Sequence, residues 1–239
     1  MAVFVLVHGA YHGGWCWRRV SDRLRAQGHT VHTPTLTGLG ERAHLLTPAV
    51  GLQTMIDDVV GTCEAEEVTD AILVGHSFGA LPVLGALPRV SQRLTHVVVL
   101  DGIVARPGTS GFAALNPDAL EERTPTGPFL PPPPPSMFGV TTPDDAAWLT
   151  RRLTPHPLQP YLDPFPAPGP LGAGVPVTYL RCTAPLFPGV DGSARLAETE
   201  GWTMRELAAT HDAMITHPGE LTSELTGIAA RRRTSRWPR

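Results

Sequence analysis

Lysine is absent from this chain of 239 residues, and all 19 basic positions are arginine. Together with 26 prolines and abundant glycine, that bias points to a GC-rich coding genome and says nothing about mechanism. Cysteine is scarce: Cys16, Cys63 and Cys182 are widely spaced, with no C-x-x-C pair. This argues against a disulfide scaffold or a structural zinc site and suits a reducing compartment. An excess of one charge is also missing. The net charge of −3 gives neither nucleic acid nor an anionic membrane a reason to bind. No apolar run reaches membrane-spanning length, and the opening run 2–7 lacks the basic flank and cleavage site of a secretory signal. A cytoplasmic location is the expectation, and a homodimer is left open. The one basic cluster, Arg231, Arg232 and Arg233 with Arg236 and Arg239, is expected to be a solvated, frayed tail over 231–239.

What is present is the pattern of one globular α/β domain. Hydrophobic residues make up 42% of the chain, and its length suffices for a substantial core. Short apolar runs alternate with amphipathic stretches, the mark of a parallel sheet covered by helices. Strands are expected over 3–7, 29–33, 71–74, 97–100, 175–180 and 202–207. Helices are expected over 17–27, 52–66, 78–87, 192–200 and 218–231, with Pro82 tolerated near a first turn. Between about 106 and 175 the character changes to a Pro-rich, weakly periodic stretch that includes Pro131 to Pro135 in succession. Such a run favours polyproline II and cannot continue a sheet, although 144–153 has the pattern of one helix. An insertion of this kind between two halves of an α/β pattern reads as a cap or lid.

The chemistry is concentrated in three places. Gly75-His76-Ser77-Phe78-Gly79 is a G-x-S-x-G motif directly after one expected strand and directly before a helix. A sharp strand-to-helix turn there exposes the Ser77 hydroxyl as a nucleophile and aims the helix N-terminus at a developing oxyanion. His8-Gly9-Ala10-Tyr11-His12-Gly13-Gly14-Trp15 follows the first strand. Its glycines let backbone N–H groups approach a ligand, so the N–H groups of Ala10 and Phe78 form the expected oxyanion hole. His211 lies between the last expected strand and the last helix. The order serine then histidine, with the histidine after the final strand, makes it the base for Ser77. His76, by contrast, is expected to be structural.

The spans 8–17, 75–80, 98–107, 177–183 and 211–225 resemble the plant esterase and hydroxynitrile-lyase branch of the α/β hydrolases and its bacterial relatives. That resemblance implies an α/β-hydrolase fold with about eight strands, a small helical cap, and a Ser-His-Asp triad acting on small carbonyl compounds without cofactor or metal. The chain departs from it at one point. The position that carries the triad acid in that branch is Pro185 here. Asp101, at the end of the strand 97–100, is the first candidate to replace it; Asp191, in the altered loop, is the second; a Ser-His dyad is the third.

The reading is a serine hydrolase of a small or medium apolar ester, thioester or lactone. Tyr11, His12, Phe138 and Trp148 are expected to contact the substrate. Two alternatives stay open at this stage. One is a lyase, eliminase or cyclase of specialised metabolism, favoured by the missing acid. The other is a catalytically silent binding module, which retention of both Ser77 and His211 disfavours.

Overall fold

The computed structural model describes residues 1–115, 127–166 and 169–234, with residues 232–234 described by backbone alone. Six strands form one parallel sheet: β1 (Val3–Val7), β2 (Thr30–His32), β3 (Ala71–His76), β4 (Leu94–Leu100), β7 (Val177–Cys182) and β8 (Thr203–Leu207), in the order β2-β1-β3-β4-β7-β8. Among the described residues this is fewer than the roughly eight strands the resemblance implied. The central strand β3 is buried at all six positions. It therefore reads in sequence as a continuous apolar run rather than an alternating one, as parallel strands covered on both faces do.

Helices α1 (Arg18–Ala26), α2 (Leu52–Ala65) and α3 (Ala80–Val90) cover the sheet together with α7 (Asp191–Thr199) and α9 (Pro218–Thr234). α1 packs on α9, and α2 on α3. Pro82 falls in the first turn of α3, where its missing N–H has no intrahelical acceptor to lose, and Pro88 lies two residues from the end of that helix. α9 extends through Thr234, so the backbone of residues 231–234 is helical rather than frayed. The rest of that expected tail, 235–239, lies outside the described residues.

The register sets the site. Val7 pairs with Gly75, His76 with Leu100, and Leu100 with Leu180. Four adjacent strands thus end at one level, and the loops beginning at His8, Ser77, Asp101 and Thr183 emerge together at their C-terminal edge. Open α/β sheets bind ligands there.

The described residues between β4 and β7 add nothing to the main sheet, but they are not devoid of pairing. They contain α4 (Gly111–Ala114), α5 (Pro143–Thr150) and α6 (Gln159–Leu162). They also hold a short antiparallel pair, β5 (Phe129–Leu130) with β6 (His156–Pro157). Strands of two residues each leave no alternation to be read in sequence. A last short helix, α8 (Ala213–Thr216), follows His211. All three cysteines are free and buried. Among the described residues no helix is long and apolar enough to cross a membrane.

Candidate active site

Ser77 follows β3 with φ +52°, and Asp101 follows β4 with φ +44°; Tyr11, in the loop after β1, has φ +68°. These three account for half of the six non-glycine residues in the left-handed region among the described residues. Each such conformation costs about 1–3 kcal/mol, so backbone strain is gathered where the strand ends converge. Close packing holds it in place. A Cβ on Gly79 would lie 2.3 Å from the carbonyl oxygen of His8, and one on Gly9 would lie 2.9 Å from Ser77 Cβ. The two glycines thus let the elbow and the loop after β1 touch through their backbones. The N–H of Ile103 donates to the Ser77 carbonyl at 3.0 Å and ties the Asp101 loop to the same elbow.

Asp101, His211 and Ser77 lie on one hydrogen-bonded line. His211 Nδ1–H donates to Asp101 Oδ2 at 2.6 Å, and the Ser77 hydroxyl donates to His211 Nε2 at 3.0 Å. Asp101 is 1% exposed and His211 3%, so little water competes for either bond. The second carboxylate oxygen of Asp101 accepts the Cys182 N–H at 3.2 Å. With both oxygens facing donors, the carboxylate is held as an acceptor, which fixes the His211 tautomer with its lone pair toward the serine.

The loop after β1 is held by its own histidines. His8 Nε2 accepts the Leu36 N–H at 3.0 Å, so Nδ1 carries the proton and donates to the Gly9 carbonyl at 2.8 Å. Burial pushes the His8 pKa down to about 3 against the opposing pull of that bond, and the ring stays neutral. Because the peptide is planar and trans, fixing the Gly9 carbonyl fixes the opposite direction for the Ala10 N–H. His76 donates from Nε2 to the His211 carbonyl at 3.0 Å. Its pKa lies well below the ordinary value, chiefly through burial and then through its neighbours His211 and His12.

A cavity of about 420 Å³ opens over Ser77 and His211. Tyr11, His12, Phe138, Tyr161 and Phe187 contribute to its wall, giving it an aromatic character. Three expectations need correction or narrowing. Trp148 does not line the cavity: its ring packs edge-on against Trp15 at 5.0 Å, with the guanidinium groups of Arg152 and Arg19 at 4.7 and 5.6 Å. Those partners turn it away from the substrate space. His12 does line the cavity, but both of its ring nitrogens are engaged, by the Ala10 carbonyl at 2.7 Å and Asp212 Oδ2 at 3.2 Å. Asp191 pairs with Arg181 and makes no bond to His211. A further residue escaped the sequence reading. Phe187, two residues beyond Pro185, stacks on the His211 ring at 4.1 Å and 26°.

Comparison with known proteins identifies the family. The family model described as "Alpha/beta hydrolase family" matches residues 4–225. A carbendazim hydrolyzing esterase of Nocardioides sp. (strain SG-4G) is 38% identical, over 95% of this chain and 100% of its own length. Salicylic acid-binding protein 2 of Nicotiana tabacum is 32% identical over 53% of this chain, and the match spans 48% of that protein. Among solved structures, an extracellular α/β-hydrolase from a Paenibacillus species superposes with a TM-score of 0.81 at 21% identity, covering 95% of this chain and 98% of the other. Tomato methylketone synthase I superposes at 0.80 and 21% identity, covering 96% and 98%. At that identity the two structures speak for the fold alone. The chain belongs to the α/β-hydrolase family, as an esterase-like enzyme of the branch that joins plant methylesterases to their bacterial relatives.

Proposed function

We propose that the protein is a serine hydrolase acting on a small or medium apolar ester, thioester or lactone through an acyl-Ser77 intermediate. The observation that carries this reading is the hydrogen-bonded line from Asp101 through His211 to Ser77, at 2.6 and 3.0 Å. Ser77 Oγ attacks the substrate carbonyl while His211 Nε2 takes its proton. Asp101 stabilises the imidazolium so formed and keeps the ring in one tautomer. The N–H groups of Ala10 and Phe78 receive the oxyanion; His211 then protonates the leaving alcohol or thiol. Water, deprotonated by the same imidazole, attacks the acyl-enzyme and regenerates Ser77. The aromatic wall around the cavity favours an apolar acyl or leaving group, and the segment between β4 and β7 acts as the cap over it. The carboxylate beside His211 supports hydrolysis over a lyase or cyclase reaction, which drew its motive from the lack of one at Pro185.

Mass spectrometry after exposure to a fluorophosphonate tests the reading. The expected result is one adduct on Ser77, absent when His211 is replaced by alanine. An unlabelled wild-type Ser77 would overturn the covalent mechanism.

A further inference from the structure

The site contains a second buried histidine–aspartate pair that the proposed reaction does not use. His12 is 1% exposed and Asp212 0%, and they meet between Nε2 and Oδ2 at 3.2 Å. The other ring nitrogen, Nδ1, faces the Ala10 carbonyl at 2.7 Å. A carbonyl has no proton to give, so Nδ1 carries one; with Asp212 as a carboxylate, its oxygen has none either, and Nε2 carries another. The partners of His12 therefore define an imidazolium. This sets it apart from its neighbours: His8 and His76 each face a donor or leave one nitrogen unpartnered, and both stay neutral.

The pair joins two loops that the chemistry needs in register. His12 lies two residues after Ala10, and Asp212 directly follows His211, 200 residues away in sequence. The Asp212 N–H also donates to the Phe138 carbonyl at 3.1 Å, bringing in the segment that closes the cavity. On the other loop, the Gly9 and Ala10 carbonyls are held by consecutive imidazoles, His8 and His12. Each planar peptide so fixed directs the following N–H.

We propose that His12 and Asp212 form a buried imidazolium–carboxylate tie that holds the Ala10 loop against the His211 loop, making both of them positioning residues for the reaction. They act through Ala10 and His211 and not on the substrate. This inference rests on the reading of Ala10 as an oxyanion donor and Ser77 as nucleophile. Burial alone would lower the His12 pKa, but the charge and hydrogen bond of Asp212, with the Ala10 carbonyl, outweigh it and raise it. The titratable groups that act on the ring are Asp212, His76 and His8, and the Cys16 thiol lies near Asp212. His76 and His8 are neutral and Cys16 is pushed well up by burial and Asp212, so the Asp212 carboxylate is the charge that keeps the second proton on the His12 ring. The tie is complete below the raised pKa and is lost as pH rises through it.

Two readouts test the proposal. Nitrogen-15 NMR of the wild type through a pH titration should show one buried imidazole that keeps both ring nitrogens protonated to higher pH than an ordinary histidine, and Asp212→Asn should abolish that signal. A spectrum in which no imidazole outlasts the ordinary histidine range as an imidazolium overturns the tie. The rate of Ser77 labelling by a fluorophosphonate should fall about tenfold or more in Asp212→Ala, since small misplacements of reacting groups cost that much. Asp212→Asn, which can still hydrogen-bond to Nε2, should recover most of the rate at neutral pH. Labelling of Asp212→Ala at the wild-type rate overturns the positioning role. Should that variant not fold, alkaline titration of the wild type replaces it: labelling should fall as the imidazolium signal disappears, and a rate unchanged through that loss overturns the proposal. Failure of the wild type to label at all would instead overturn the serine mechanism, while the NMR spectrum still decides the pair.

Discussion

Asp101 Oδ2 lies 2.6 Å from His211 Nδ1, although the two residues come from different strand ends and the resemblance implied an acid at the position that Pro185 fills. The relationship depends on β4 pairing directly with β7. Asp101 donates its N–H to the Leu180 carbonyl at 2.8 Å, and its side chain accepts from Cys182. A carboxylate one residue past β4 thereby reaches the space beside the end of β7, and the left-handed backbone at Asp101 turns it toward His211.

Replacing Asp101 by asparagine should cost about 10³- to 10⁴-fold in kcat with little change in fold. The carboxylate accepts from two donors, so an amide NH₂ in its place must face one of them and drive His211 to the wrong tautomer. Asp191→Asn should change kcat less than twofold, because it removes only a partly exposed ion pair to Arg181. Steady-state kinetics on a model ester would decide. An Asp101→Asn enzyme within about tenfold of wild type means that another group orients His211.

Phe138 and Trp148 should separate selectivity from stability. Phe138 packs against Tyr11, His12 and His211 on the cavity wall. Phe138→Ala should therefore widen acyl tolerance, seen as a larger kcat/KM ratio of long over short acyl esters. Trp148→Ala should lower stability by about 1–3 kcal/mol, through the lost contact with Trp15 and the two guanidinium groups, with that ratio unchanged. The reverse pattern in urea melts and ester assays would place Trp148 in the pocket.

Ser77, His211 and the loop from His8 to Trp15 were legible in sequence because each is a contiguous signal at a strand end, and strand ends in this fold are where chemistry lies. Asp101 was reachable through chain order, but not decidable: its claim rests on which strand neighbours β4, and pairing across 80 residues leaves no local trace. Trp148 shows the limit of composition. An aromatic in a Pro-rich stretch announces burial against something, while the partners that oriented it, Trp15 and Arg19, lie about 130 residues earlier. Phe187 and the Asp212 side chain escaped for the same reason, since nothing beside them in sequence says that each will meet a histidine of the site.

Gly79→Ala should test how tightly the elbow and the loop after β1 are pressed together. The added methyl would meet the His8 carbonyl at 2.3 Å, and backbone on both sides leaves no flexible side chain to yield. The expected cost is about 1–3 kcal/mol of stability, with a slower fluorophosphonate reaction at Ser77 as the loops part. A variant as stable and as reactive as wild type would mean that the loops are free to separate.

The buried histidines make the fold acid-sensitive. Burial lowers His8 and His156 to about 3 each and His76 well below its ordinary value. In the unfolded chain all three would titrate near 6.5. Above that pH neither state binds the protons, and the stability these rings contribute is fully present. As pH falls from about 6.5 toward 3, the unfolded chain takes up protons that the folded chain refuses, so stability is lost. Each group contributes up to about 1.4 kcal/mol per pH unit across that window. His12 has the opposite sign, but its raised pKa places its contribution above pH 6.5, where stability is lost as pH rises; below 6.5 the ring is protonated in both states and leaves the loss from the other three unchanged. Urea unfolding at pH 7.5, 6 and 5 should show the midpoint dropping steeply below pH 6.5. His156→Gln should flatten the slope by about one proton, since its Nε2 has no partner among the described residues and its Nδ1 receives only a 3.5 Å contact from the Tyr11 N–H. A midpoint unchanged between pH 7.5 and 5 would mean that these rings take up protons within the folded protein.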